Sequence, residues 1–280
     1  MSARSSRRTE LAAGLLVLAA CLFPACKNDA PKQTAATTSA AAAAQALEPI
    51  KVAAAADLAK AFEDVGIAFE KKYGTKPVFT FGSTGLLAKQ LQQGAPFDVF
   101  AAANISFVDD VVKVGQCFGD SKALYARGRI VVWTKDGPEK KLEDLKDPKL
   151  VKIAIANPEH APYGKAAQQA MAKIGIWETV KLRLVYGENV QQTLQFAQSG
   201  NADAAIVALS LAIVSSGKYT LIDPELHAPL DQAMVVCKGN GKGEATARKF
   251  TAFVDSPDGR EIMKKYGFLL PGESVAKDDK

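Results

Sequence analysis

The chain has 280 residues, 48% hydrophobic and 23% charged, with 21 Gly and 13 Pro; this is ordinary globular composition and excludes a disordered, collagen-like or disulfide-dense protein. The net charge is +5, of which Arg4, Arg7 and Arg8 against Glu10 supply +2, leaving +3 on the rest of the chain. Spread among interleaved Lys and Glu, so small a surplus excludes a nucleic-acid partner, and the length suits roughly two domains of about 100–150 residues.

Residues 1–26 read as an export signal. Arg4, Arg7 and Arg8 form its basic start, and 11–23 is an apolar run of signal length, shorter than the roughly 20 residues of a membrane-spanning helix. Leu18-Ala19-Ala20-Cys21 resembles the lipobox of bacterial lipoproteins, in which the Cys becomes the lipidated first residue. Cys26 is the alternative, because Lys27-Asn28-Asp29 looks like a mature start, and a cleaved signal with two incidental cysteines is a third reading. Acylation would hold the protein on a bacterial membrane surface in the periplasm. Residues 27–48 are mostly Ala, Thr, Gln and Pro; they lack the apolar surface to offset ordering entropy and are expected to be a flexible tether, on the order of 25–30 Å in reach.

From Pro49 short apolar runs alternate with helical periodicity. Strands are predicted over 50–55, 78–81 and 98–102, with helices over 58–73 and 86–93 between them; Leu58, Phe62, Val65 and Phe69 share one face of the first helix. This βαβαβ order implies a parallel sheet covered by helices. The rhythm restarts with strands at 129–134, 152–156, 182–185 and 204–208 and helices at 163–173 and 190–198. A strand at 230–237 and helices at 245–255 and 258–266 close the chain. No repeat of 20–50 residues is present. The pattern predicts an α/β protein of two lobes, each a mostly parallel sheet flanked by helices. Lobe 1 is 49–126 plus 229–274, lobe 2 is 127–228, and 275–280 is a polar tail. A cleft between lobes is a common place for a binding site. Cys117 and Cys237 either pair, as an oxidising compartment permits, or remain buried thiols.

Four strand-to-helix junctions carry groups suited to a small anion: Ala56-Asp57, Gly82-Ser83-Thr84-Gly85, Ala161-Pro162-Tyr163-Gly164 and Gly187-Glu188-Asn189-Val190. Helix N-termini offer unpaired N–H groups and the positive end of the helix dipole. Asp57, Ser83, Thr84 and Asn189 are equally ordinary N-cap residues.

In order and spacing, the chain from about 51 to 268 resembles the periplasmic molybdate-binding proteins of molybdate ABC importers. The matching stretches are Val52-Ala53-Ala54-Ala55-Ala56-Asp57-Leu58, Gly82-Ser83-Thr84-Gly85 with Leu87-Ala88-Lys89-Gln90, and Gly94-Ala95-Pro96-Phe97-Asp98-Val99-Phe100. Asn157-Pro158-Glu159-His160-Ala161-Pro162, Gly187-Glu188-Asn189-Val190 and Lys265-Tyr266-Gly267-Phe268 complete them. The resemblance implies a type II periplasmic-binding-protein fold, hinged by crossing strands, that closes on a tetrahedral oxyanion and delivers it to an inner-membrane ABC permease. It also implies neutral hydrogen bonds to the ligand, from the Thr84 hydroxyl and amide and the Val190 amide, with Ser83 as a helper. Fixed N–H dipoles avoid the desolvation cost of a buried cation.

Three positions depart from the family's usual pattern: Asp57 stands where Ser is usual, Tyr163 where a small residue is usual, and Ala208 where Tyr is usual. The last two suggest a phenol lost at 208 and regained at 163, which requires the Tyr163 hydroxyl to point into the cleft beside Thr84. An ionised Asp57 about 4 Å from a dianion would be repelled by several kcal/mol at an effective dielectric near 20. It must therefore turn away and cap its helix, accept a hydrogen bond from a ligand that carries a proton (arsenate- or phosphate-like), or stay protonated itself.

Other readings are weaker. His160 and His227 stand without a Cys or carboxylate cluster at ligand spacing, so no protein-ligated metal and no cofactor are expected. Glu159 and Asp98 are read as structural, Trp133 and Trp177 as core. No nucleophile with a base at usable spacing, metal signature or phosphate loop suggests an enzyme. A sensory ligand-binding domain is the other alternative, and a monomer is expected.

Overall fold

Alanine and valine dominate the first apolar run, which lets it pass through the middle of a sheet with helices close on both faces. In a computed structural model that describes residues 47–273, that run is β1 (Lys51–Ala55), followed by a 3-10 turn (Ala56–Leu58), α1 (Ala59–Tyr73), β2 (Val78–Gly82), α2 (Thr84–Gln92), β3 (Val99–Ala102), α3 (Ile105–Lys113) and β4 (Ala123–Gly128). The chain then builds β5 (Ile130–Thr134), β6 (Ile153–Ala156), α4 (Pro162–Lys173), α5 (Trp177–Val180), β7 (Leu184–Gly187), α6 (Val190–Gln198), β8 (Ala204–Ala208), α7 (Leu209–Ala212) and β9 (Lys218–Leu221). It returns through β10 (Leu230–Val236), α8 (Glu244–Val254) and α9 (Pro257–Lys265). The export signal, Cys21, Cys26, nearly all of the tether and the tail at 275–280 lie outside the described residues.

Two five-stranded sheets result, in the orders β2-β1-β3-β10-β4 and β7-β6-β8-β5-β9. The orders are equivalent, although the two halves share no sequence repeat. In each sheet the first three strands are parallel, and the fourth pairs antiparallel with both neighbours. The reversed strands, β5 and β10, are those that follow a crossing between lobes, so the mostly parallel sheets carry one inverted strand each. Gly128 still pairs with Leu230 in the first sheet, which puts the first crossing at Arg129, two residues later than the 126/127 boundary read from the sequence.

α3, β4 and β9, with the short helices α5 and α7, are additions to the predicted elements. β4 and β9 lie at sheet edges and carry Arg127 and Lys218, so neither reads as an apolar run. α3 is rich in β-branched residues, and its start is set by Asn104, whose side chain accepts from the Ser106 amide at 2.9 Å. α2 begins at Thr84 rather than 86, with Ser83 in extended conformation as its N-cap residue.

The predicted face of α1 is fully buried: Leu58, Phe62, Val65 and Phe69 are all 0% exposed. Phe62 and Phe69 meet Phe250 of α8 edge-on, with ring centroids 5.8 and 5.4 Å apart, so the returning segment closes over the first lobe. Trp133 is buried in the second sheet, whereas Trp177 is only partly buried. Asp98 is structural: buried, it accepts the Lys51 amide at 2.7 Å. Cys117 and Cys237 form a disulfide across an isolated antiparallel bridge, which resolves the two readings of these thiols. The described residues fall within a single compact unit, and none of their helices is long and apolar enough to cross a membrane.

Candidate functional site

Parallel register brings the four junctions together in pairs. Ala55 lies opposite Gly82, so the turn carrying Asp57 sits beside Ser83 and Thr84; Ala156 lies opposite Gly187, so the start of α4 sits beside Asn189 and Val190. The lobes then meet. The Gly85 amide donates to His160 O at 2.9 Å, the Ser83 hydroxyl donates to the same carbonyl at 2.8 Å, and Ser210 Oγ donates to Asp57 O at 2.7 Å. Between them is a small cavity of about 10 Å³ bordered by Asp57, Ser83, Thr84, Tyr163, Asn189 and Val190. That is about the room of one water molecule, so the junctions lie close together in this structure. A larger cavity of about 570 Å³ lies against the crossing segments, beside Arg129, Ile222 and His227; none of the site residues expected from the sequence reaches it.

Each expected residue borders the small cavity, but their polar atoms are used differently. Thr84 Oγ1 accepts the Ala103 amide at 3.1 Å, which leaves its hydroxyl proton to donate. Asn189 caps α6 by accepting from the Gln191 and Gln192 amides, both at 3.0 Å, so Val190 contributes the one amide of the first helical position that the cap leaves out. Ser83 is engaged with His160, whose Nδ1 is also 2.8 Å from its hydroxyl, and fastens one lobe to the other. The imidazole of His160 is thus a latch partner, and no group of three or more metal-ligating side chains occurs among the described residues. Glu159 is exposed in the turn held by Asn157.

Asp57 is 1% exposed and does not cap its helix. Its Oδ2 accepts from the Tyr163 hydroxyl at 2.9 Å and from Gln232 Nε2 at 2.6 Å; its Oδ1 is buried with no hydrogen-bond partner among the described residues. Burial pushes the Asp57 carboxyl up to about 6 from 3.8, against the lowering effect of the bonds from Gln232 and Tyr163. Burial, with the charge of Asp57, raises the Tyr125 and Tyr163 phenols well above their ordinary range, so both remain donors. Tyr163 borders the cavity, but its hydroxyl is spent on Asp57 and lies against Gln232 and Gly128. Nothing in the sequence marked Gln232 and Tyr125 as part of this cluster. Both come from strands remote in the chain, and only the pairing of β10 with β4 brings them together.

Residues 50–269 match the family described as bacterial extracellular solute-binding protein. The chain is 37% identical over 237 residues to the molybdate-binding protein ModA of Azotobacter vinelandii, covering 82% of this chain and 93% of that protein. Identity to the molybdate-binding protein ModA of Rhodobacter capsulatus is 36% over 220 residues, covering 78% and 86% of the two chains. The solved Azotobacter vinelandii periplasmic molybdate-binding protein superposes with a TM-score of 0.75 at 29% identity, covering 79% of this chain and 99% of that one. Together with two equivalent sheets whose strand-to-helix junctions meet at one small cavity, this likeness over nearly the whole folded body means that the chain belongs to the bacterial extracellular solute-binding proteins.

Proposed function

We propose that this protein is the periplasmic receptor of an ABC importer and binds a tetrahedral oxyanion, molybdate or tungstate, between its lobes. The observation that carries the reading is that neutral donors border one small cavity between the lobes: the Thr84 hydroxyl and the Val190 amide left out of the Asn189 cap. Such donors stabilise a dianion through dipoles already oriented by the fold. The donors hold and release the ion without altering it, so the role is binding and delivery rather than catalysis. Closure over the ion gives an inner-membrane permease a shape to recognise. In this reading the protein works as a monomer, its lobes hinge at Arg129 and the segment before β10, and acylated Cys21, or Cys26, tethers it to a membrane.

Calorimetric titration of the purified chain with molybdate, tungstate, sulfate, phosphate and arsenate tests the reading. Tight 1:1 binding of molybdate and tungstate is expected; no heat with any of the five would refute an oxyanion receptor.

A further inference from the structure

Hydrogen bonds around Asp57 settle where a proton on it must sit. Tyr125 donates to Gln232 Oε1 at 2.8 Å, which turns the Gln232 amide nitrogen toward Asp57 Oδ2 and the Tyr163 oxygen, the latter at 3.1 Å. The Tyr163 oxygen accepts from Gln232, and its proton goes to Asp57 Oδ2. Two donors therefore end on Oδ2, which is the behaviour of a carbonyl-type oxygen. A proton on this carboxyl belongs on Oδ1, the buried atom without a partner among the described residues, on a side chain that borders the cavity. Gly128 keeps the cluster closed, since a Cβ there would lie 2.0 Å from the Tyr163 hydroxyl.

Resting on the oxyanion-receptor reading, we propose that Asp57 is a specificity-determining residue of this site: the bound complex contains one proton held between Asp57 Oδ1 and a ligand oxygen. An oxyanion that is a bare dianion near neutral pH, such as molybdate, takes that proton up from solvent as it binds. A monohydrogen dianion, such as arsenate, brings its own. Rising pH thus weakens molybdate more steeply than arsenate. The rise of the free carboxyl to about 6 places the onset within an accessible range.

Asp57→Asn leaves every other titratable group near the cluster in place, His160 included, so it separates their pH dependence from that of Asp57. α6, α7 and β2 contain no charged side chain. On α1, Lys60 and Glu63 pair with each other at the surface. Asp231 of β10 pairs with Arg127 of β4, Arg129 donates to Gly267 O, and His160 is held by Ser83. Tyr163 donates to Asp57 directly and Tyr125 reaches it through Gln232, and both phenols stay protonated.

The test is calorimetric titration of the full chain with molybdate from pH 5.5 to 8.5, in buffers of different protonation heat, on wild type and Asp57→Asn. Expected for wild type is uptake of about one proton per molybdate above pH 7, with Kd rising about tenfold per pH unit there. Asp57→Asn presents a permanent N–H donor in place of Oδ1–H, so its Kd should stay flat over the same range with no proton uptake. Tight wild-type binding with no proton uptake at pH 7–8.5 overturns the proposal and leaves the receptor reading standing. So does an Asn variant as pH-dependent as wild type. Absence of molybdate binding by both proteins at every pH refutes the receptor reading itself. The wild-type proton count stands even if the variant does not fold.

Discussion

One oxygen of the Asp57 carboxyl is fully committed and the other is not, and this asymmetry has consequences before any ligand binds. Its folded-state pKa, about 6, lies above the ordinary 3.8, so the folded protein holds the proton more tightly than the unfolded chain does. Stability from this group is therefore complete below pH 3.8 and is lost as pH rises through 6, a difference of about 3 kcal/mol. Asp57→Asn should gain on wild type by up to about that much between pH 4 and pH 8 in urea unfolding; parallel pH curves would contradict it. Thr84 permits a second prediction at the same scale. Thr84→Val removes a donor to the ligand and the acceptor of the buried Ala103 amide. Molybdate affinity should fall about 10- to 100-fold, and unfolding free energy by about 1–3 kcal/mol. Thr84→Ser, which keeps the hydroxyl, should restore most of both.

Helix starts are where the lobes touch. At the first turn of α2, Gly85 lies so close to the turn before α4 that a Cβ would sit 2.7 Å from His160 O and 3.1 Å from His160 Cα. Both are backbone atoms, so the clash cannot be relieved by a rotamer change. Gly85→Ala should leave α2 intact, since alanine suits a helix, yet prevent full closure. Small-angle scattering should then show no compaction on adding molybdate, and affinity should drop at least about tenfold; wild-type compaction in the variant would refute the role given to Gly85. The junctions themselves were legible in the chain, because Ser83, Thr84 and Asn189 are cap-type residues that follow apolar runs. Which of them cap and which face the cavity was not. Asn189 caps through its own helix, whereas the roles of Ser83 as a latch and of Thr84 as a remaining donor depend on His160 and Ala103, partners outside their own turn.

Across the whole molecule, the Cys117–Cys237 disulfide spans 120 residues of sequence and encloses the entire second lobe, anchored at both ends in the first. A loop of that length places the chain-entropy contribution at about 4–5 kcal/mol. Reduction, or Cys117→Ser with Cys237→Ser, should lower the unfolding free energy by roughly 3–5 kcal/mol in urea titration; unchanged stability on reduction would show that the unfolded chain stays compact without the bond. The architecture around this bond was legible in outline. Apolar runs of strand length, alternating with helical periodicity in two rounds, are local patterns set by side-chain volume and backbone preference, and they carried the α/β class, the two sheets and the four junctions. The strands β4 and β9 escaped because Arg127 and Lys218 leave them no apolar run, and the crossing at Arg129 was displaced because it depends on how far β10 pairs along β4. The Asp57 cluster escaped for the same kind of reason. A carboxyl next to a helix start looks like a cap in one dimension, and only strand pairing between segments more than 100 residues apart brings Tyr125, Tyr163 and Gln232 around it. Chain chemistry supplied a charged residue at the anion site; long-range packing, by burying it and spending one of its oxygens, left the other to hold a proton.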